Sequence, residues 1–424
     1  MWNSIAVMQM KSTCLKGPRW ERHKGMTVDG ENGYVVPEGP GVVTMNIIRD
    51  RIANALFAAR ASKSSCRNQT RFLLFHGKKS KAAFSESFRR QPSLPLVFFQ
   101  SSNYGHDTIN VHGAVDALDM RPTPAVRRPV LGFKDYSPRR GFTIHASCDG
   151  LLLLSLGNHR FYLCNPATRQ SCALPDLTGC NVAALYPHRP SGEYRVLYSK
   201  HSGRSSDDRV YHVLTVSSSG GPRCIGLPLE NAPRHWFVPA CQHQPVLLHD
   251  CLHWHLGRNC SDSLVGKVVV FDTVLESFRL MQSPIASRSV HLLQMDGTLG
   301  IRHIDHAATM TELWVLRDYE MEGWSLKYRA ELCVADMREH ITDRCILSRK
   351  VVSENGDMLV TGSPSLSYHL LHCDSNGKLL EKYQWQGVAT SVLGLCFKES
   401  LIRHAFFQRK DGSRVRVPRF FRGL

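Results

Sequence analysis

No apolar run in this chain approaches the ~18 residues of a membrane-crossing helix. The opening "MWNSIAVMQMKSTCLKGPRW" has a short apolar stretch with charges close behind. That is a poor secretion signal, and it predicts a soluble, intracellular protein. Fourteen cysteines are present, yet none forms a Cys-x-x-Cys pair. Cys164, Cys172 and Cys180 fall eight apart, too wide for paired zinc knuckles. In a reducing compartment such cysteines are mostly small buried hydrophobes. There is no Gly-x-Ser-x-Gly, His-Glu-x-x-His or Gly-x-Gly-x-x-Gly motif. "GKKSK", Gly77 to Lys81, lacks the spacing of a phosphate-binding loop. The usual enzyme signatures are therefore missing.

What is present is a basic chain of 424 residues with a formal charge of +17. Residues 1–140 hold 22 Lys+Arg against 10 Asp+Glu. Residues 141–402 hold 24 against 25, and residues 403–424 hold 7 against 1. The body is neutral and the basicity lies at the two ends. A nucleic-acid reader would more often carry a basic stripe on its folded surface. Nucleic acid and membrane are therefore not expected partners.

Three zones follow one another. Residues 1–35 mix Gly, Pro and charge without a period and read as a disordered extension. In residues 36–90, "VVTMNIIRDRIANALFAARA" places Val43, Ile47, Ile48, Ile52 and Leu56 at helical spacing. One or two amphipathic helices fit. From "PSLPLVFFQ", Pro92 to Gln100, short apolar runs alternate with Gly, Asp, Asn, Pro and Ser. That is strand-and-turn texture, and it continues almost to the end.

This zone repeats itself. An Asp turn precedes an apolar run at "SCDGLLLLS" (Asp149), "LLHDCLHWHLG" (Asp250) and "LQMDGTLGIRH" (Asp296). A second element is a strand, then Asn or Asp, a short turn and a returning strand. It occurs at Asn165, Asp272, Asp336 and Asp374. "YRVLYSK" with "YHVLTVSSSGGPRCIGLP" adds a hairpin around Ser217 to Gly221. Spacing between units is irregular but often near the ~40–50 residues of a four-stranded propeller blade. The slot of Asn165-Pro166 holds Asp272-Thr273 in a later unit. A recurring turn with cysteine in one copy is architecture, so Cys164 reads as a strand residue and not a nucleophile.

"ASCDGLLLLS", "FYLCNPATRQSCALPDL", "VVVFDTVLESFRLM", "LWVLRDYEMEGWSLKY", "FKESLIRHAFFQ" and "PRFFRGL" resemble plant F-box proteins with an F-box-associated domain, especially the large grass families. The match runs from about Gln91 to Leu424. It implies a short α-helical F-box region over 36–90 and a mostly β, propeller-like (kelch-like) domain over 91–424. The F-box would hold a Skp-type adaptor of a cullin ubiquitin ligase, and the β domain would capture a target protein. Pro37, Val42, Val43, Ile47, Ile48, Ile52, Leu56 and Phe57 would face the adaptor. Val36-Pro37-Glu38 matches the family's opening, Ile47-Ile48 its aliphatic pair and Arg51-Ile52 its Arg-Leu. Gly39-Pro40-Gly41 delays Val42 and Val43, Ala53 replaces a proline, and no Trp occurs in 36–90. The F-box is degenerate. No cofactor is implied, and the compartment would be cytoplasm or nucleus.

Two stretches offer other chemistry. In "HDCLHWHLG" a strand would put His253 and His255 on one face, with His249 and Cys251 also sharing a face, which makes a metal site conceivable. The plainer reading is a strand that uses His253 and Trp254 as fold positions. In "DYEMEGWSLKY", Asp318, Glu320 and Glu322 recur at period two. Paired acids serve glycosidases, but beside Gly323 these read as solvated hairpin acids. Trp314 and Trp324 read as blade packing. "RKDGSRVRVPRFFRGL" alternates Arg414 and Arg416 with Val415 and Val417, as an edge or closing strand would. Three readings stand in order: a non-catalytic ligase substrate receptor, an interaction module without adaptor contact, and a propeller enzyme built on the His249–His255 strand.

Overall fold

The computed structural model describes residues 91–104, 109–133, 141–157, 160–201, 209–217, 220–226, 244–255, 265–287, 290–295, 297–305, 310–331, 348–351, 356–361, 369–407 and 418–421. The adaptor-facing residues Pro37 to Phe57, "GKKSK", Asp296, Asp336 and the stretch 414–417 lie outside them.

Among the described residues, twenty-four strands form six four-stranded antiparallel sheets. Blade 1 holds β1 (Leu94–Tyr104), β2 (Ile109–Asp119) and β3 (Val126–Phe133). Blade 2 holds β4 (Phe142–Cys148), β5 (Leu151–Leu156), β6 (Arg160–Asn165) and β7 (Gln170–Ala173). Blade 3 holds β8 (Asn181–His188), β9 (Glu193–His201), β10 (Arg209–Thr215) and β11 (Arg223–Gly226). Blade 4 holds β12 (Val246–Leu248), β13 (Cys251–His255), β14 (Lys267–Asp272) and β15 (Ser277–Gln282). Blade 5 holds β16 (Val290–Met295), β17 (Thr298–Ile304), β18 (Met310–Asp318) and β19 (Gly323–Glu331). Blade 6 holds β20 (Ser348–Val351), β21 (Met358–Thr361), β22 (His369–Cys373) and β23 (Leu379–Gln384).

The fourth strand of blade 1 comes from the far end of the chain. β24 (Val388–Phe397) pairs antiparallel with β1, from Leu94 opposite Phe397 to Ser101 opposite Val388. The strand that closes blade 1 is thus Val388–Phe397. The leading strands of neighbouring blades meet, β24 with β4, β4 with β8, and β12 with β16, which sets them around the axis. Among the described residues the helical turns are two 3-10 pieces, Ala405–Phe407 and Arg419–Phe421.

Burial explains the sequence texture. Middle strands are covered on both faces by neighbouring blades, so β5 (LLLLSL) and β14 (KVVVFD) read as continuous apolar runs. Outer strands such as β15 and β23 alternate exposed and covered residues. The cores lie between blades. Tyr186, Leu197, Trp254 and Phe271 fill the joint of blades 3 and 4. Val270, Met281, Leu299 and Ile301 fill that of blades 4 and 5.

Turn chemistry sets the hairpins. The first turn of a blade places two residues in the left-handed region, at Asp149-Gly150 (φ 48 and 82) and His249-Asp250 (φ 51 and 58). In blades 2, 4, 5 and 6 the third turn opens on an Asx side chain that accepts backbone N–H groups ahead of it. Asn165 takes Thr168 N at 3.2 Å, Asp272 takes Val274 N and Leu275 N at 2.8 Å, Asp318 takes Glu320 N and Met321 N at 3.0 Å, and Asp374 takes Asn376 N at 2.8 Å. The chain then enters left-handed φ at Arg169 (55), Glu276 (52), Glu322 (53) and Gly377 (80).

Candidate functional site

Cys164 sits on β6, fully buried, and burial with Cys172 beside it pushes its thiol pKa up. A thiol held protonated in a dry core is no nucleophile. The strand reading of Cys164 holds.

On β13, Cys251, His253 and His255 share one face, while His249 stands in the preceding turn with φ 51. The expected pairing of His249 with Cys251 along the strand is therefore replaced by a turn. Burial lowers the pKa of His253 to about 4, so the ring is neutral. Its Nδ1–H donates to Val246 O at 3.0 Å, and Nε2 accepts from the Tyr319 hydroxyl at 2.8 Å. Both nitrogens are occupied, which leaves no lone pair for a metal. Trp254 points the other way, into the joint of blades 3 and 4. Among the described residues no three His, Cys, Asp or Glu side chains converge on a metal position.

The acids of "DYEMEGW" have separate duties. Asp318 caps its own turn. Glu320 is exposed. Glu322 accepts from Gln282 N at 2.7 Å and from Arg279 Nη1 at 3.3 Å, both on blade 4. Trp324 joins it by donating Nε1–H to Gln282 O at 2.9 Å. Glu322 is thus a half-buried latch rather than a purely solvated acid. Trp314 and Trp324 pack against the core between blades 4 and 5.

Glu276 holds the equivalent slot of blade 4 and also reaches back one blade. Its carboxylate accepts from Tyr186 Oη at 2.8 Å and Arg195 Nη1 at 2.6 Å, and pairs with Arg223. Blade 6 is held differently. Arg302, fully buried on β17, donates to Thr311 Oγ1 at 3.1 Å and to the carbonyls of Gly356 and Ser375 in two turns of blade 6. Sequence reading missed these latches because each partner is distant in the chain. The visible hint was the repeated Asx-x-x-x-Glu at Asp272 and Asp318.

Near the axis, Gln244 donates Nε2–H to Ser147 O at 2.8 Å, and its Oε1 accepts from Cys396 N at 3.0 Å. It leads into blade 4, while its partners lie on the leading strands of blades 2 and 1. One amide therefore ties three blades together.

After β24 the chain runs over blade 2. A Cβ on Gly150 would lie 2.9 Å from Ser400 N and closer still to its Cβ, so only glycine fits. Asn165 Nδ2 donates to Ile402 O at 3.1 Å. Phe407 enters the core of blades 2 and 3, and Phe420 with Phe421 that of blades 1 and 2. The exposed large hydrophobics lie elsewhere for the most part, with Leu275 at 76% and Met321 at 80% the most exposed.

Six blades closed by β24, with Cys164 buried and both ring nitrogens of His253 engaged, define a β-propeller whose visible features are its joints and its rim. A family described as "F-box associated beta propeller domain" matches residues 97–409, most of the chain. The chain belongs to that family. An F-box protein of Arabidopsis thaliana is 24% identical over 206 residues, 43% of this chain and 54% of that protein. The chain spans about half the length of this curated relative. Among solved structures, the computationally designed Ika8 protein aligns with TM-score 0.32 and 10% identity, over 73% of this chain and 96% of that one. A gluconolactonase from Xanthomonas campestris aligns with TM-score 0.33 and 12% identity, over 69% and 87%. Scores this low carry no argument about function. No helix among the described residues is long and apolar enough to cross a membrane.

Proposed function

We propose that this chain is the substrate-receptor subunit of a cullin-type ubiquitin ligase. In this reading residues 1–35 are an extension, residues 36–90 dock a Skp-type adaptor, and residues 91–424 capture a target protein in the cytoplasm or nucleus. Membership in the F-box-associated propeller family carries the reading, and the aliphatic helical spacing of Val43, Ile47, Ile48, Ile52 and Leu56 ahead of the propeller is its second support. Pro37, Val42, Val43, Ile47, Ile48, Ile52, Leu56 and Phe57 supply the apolar face. The chain performs no bond-making step. It raises the effective concentration of target lysines near a charged ubiquitin carrier. The engaged nitrogens of His253 count against that residue as the catalytic base of a propeller enzyme.

The test is binding of the purified full chain to a plant Skp-type adaptor, beside a version lacking residues 36–90. Binding that vanishes with the deletion supports the receptor. Absence of binding by the folded full chain leaves an interaction module without adaptor contact, the reading favoured by Gly39-Pro40-Gly41 and the missing Trp.

A further inference from the structure

The third turns of blades 2, 4, 5 and 6 share one scaffold, an opening Asx and a left-handed residue, while the residue just before the left-handed one differs from blade to blade. In blade 2 this place holds Thr168, whose hydroxyl bonds Gln170 at 3.0 Å. In blade 6 it holds Asn376. In blades 4 and 5 it holds Leu275 and Met321, 76% and 80% exposed, with Val274 at 40% beside the former. Two large apolar side chains stand in solvent at equivalent positions of consecutive blades, with no packing gain to explain them.

The two turns carry five acids, Asp272, Glu276, Asp318, Glu320 and Glu322, on a chain of charge +17, and Arg317 beside Asp318 is turned to Ser325. Glu276 and Glu322 are matched by Arg195, Arg223 and Arg279. Asp272, Asp318 and Glu320 have no ion-pair partner among the described residues. The two tips also frame one strand. Leu275 stands two residues before β15, and Glu322, next to Met321, accepts the N–H of its last residue, Gln282. Six residues at about 3.3 Å each make the strand about 20 Å long.

We infer that the rim of blades 4 and 5 is a target-docking surface for an extended protein segment that carries apolar side chains interspersed with Lys or Arg. This rests on the receptor reading and names the chemistry of its partner. Leu275 and Met321 would be the anchors, and Asp272, Asp318 and Glu320 would steer and select the cations. A segment of about six to eight extended residues spans the distance.

The probe is a fluorescent eight-residue peptide alternating arginine and leucine, titrated into the full chain. Controls replace arginine by glutamate or leucine by serine. The protein as a whole repels a cationic peptide, so binding reports a local site. The arginine–leucine peptide should bind, with added salt weakening it. Leu275→Ser with Met321→Ser should reduce affinity about tenfold or more without moving the melting temperature. Asp318→Asn with Glu320→Gln, which keeps the capping oxygen, should reduce affinity a few-fold and flatten the salt dependence. Equal binding by the Leu275/Met321 variant, equal binding of the glutamate control, or no binding at all would overturn the inference. Adaptor binding measured on the same preparations reports separately on the receptor reading.

Discussion

Between blades 1 and 2, Phe420 and Phe421 lie buried among Leu131, Leu152, Leu154 and Cys164. Between blades 3 and 4, the rim holds Glu276 with Tyr186, Arg195 and Arg223 over an aromatic core. The first joint flanks the one blade assembled from both ends of the chain, the second joins blades that follow each other directly. Consecutive blades already sit close in sequence, so directional bonds to a turn residue suffice to set their angle. The closing blade has to retain β24 against the entropy of the whole intervening chain. There a greasy tail, continuous with β24, adds buried area that depends little on angle.

The largest expected effect lies at the apolar joint. Phe420→Ala or Phe421→Ala should each cost about 3–5 kcal/mol in urea unfolding, since each empties a filled core position. Glu276→Ala should cost about 3 kcal/mol, because the nearly buried Arg195 loses its counter-charge. Glu276→Gln keeps an acceptor and should lose less. Equal costs for Glu276→Ala and an exposed substitution would remove the latch from the account. Gly150→Ala should cost about 1–3 kcal/mol, from a left-handed φ of 82 and the collision with Ser400. Tryptic cutting within residues 398–407 should rise in that variant and stay unchanged in Glu276→Gln.

A pH effect lies outside both joints. His145, whose ring packs against Phe161, and His253 and His255 of blade 4 have pKa values lowered to about 4 by burial. Unfolded, each titrates near 6.5. Between these values the unfolded chain binds more protons, so stability falls as pH drops from about 6.5 toward 4. The slope is about 1.4 kcal/mol per pH unit for each histidine. His253→Gln should flatten the urea-midpoint profile across that window, and an unchanged profile would contradict the neutral ring.

The turns were legible in the sequence because they are local. Asp149, Asn165, Asp250, Asp272 and Asp374 mark hairpins from a few residues of context, and apolar runs such as "LLLLS" mark strands covered on both faces. The blade count was not legible, since blade 1 borrows β24 from nearly 300 residues away and the connections between blades vary in length. The latches of Glu276 and Arg302 were hidden for the same reason. A charged residue in a turn reads as solvated until the neighbouring blade is in place. Glu322 shows the limit well, placed correctly in its hairpin yet bonded to a strand 40 residues earlier.

The most direct measurement of the functional account is hydrogen exchange of the full chain with and without a plant Skp-type adaptor. The account predicts protection confined to peptides covering Pro37 to Phe57, with the strands from Leu94 to Phe397 unchanged. Adaptor-induced protection in the propeller strands, with none in the N-terminal peptides, would contradict it.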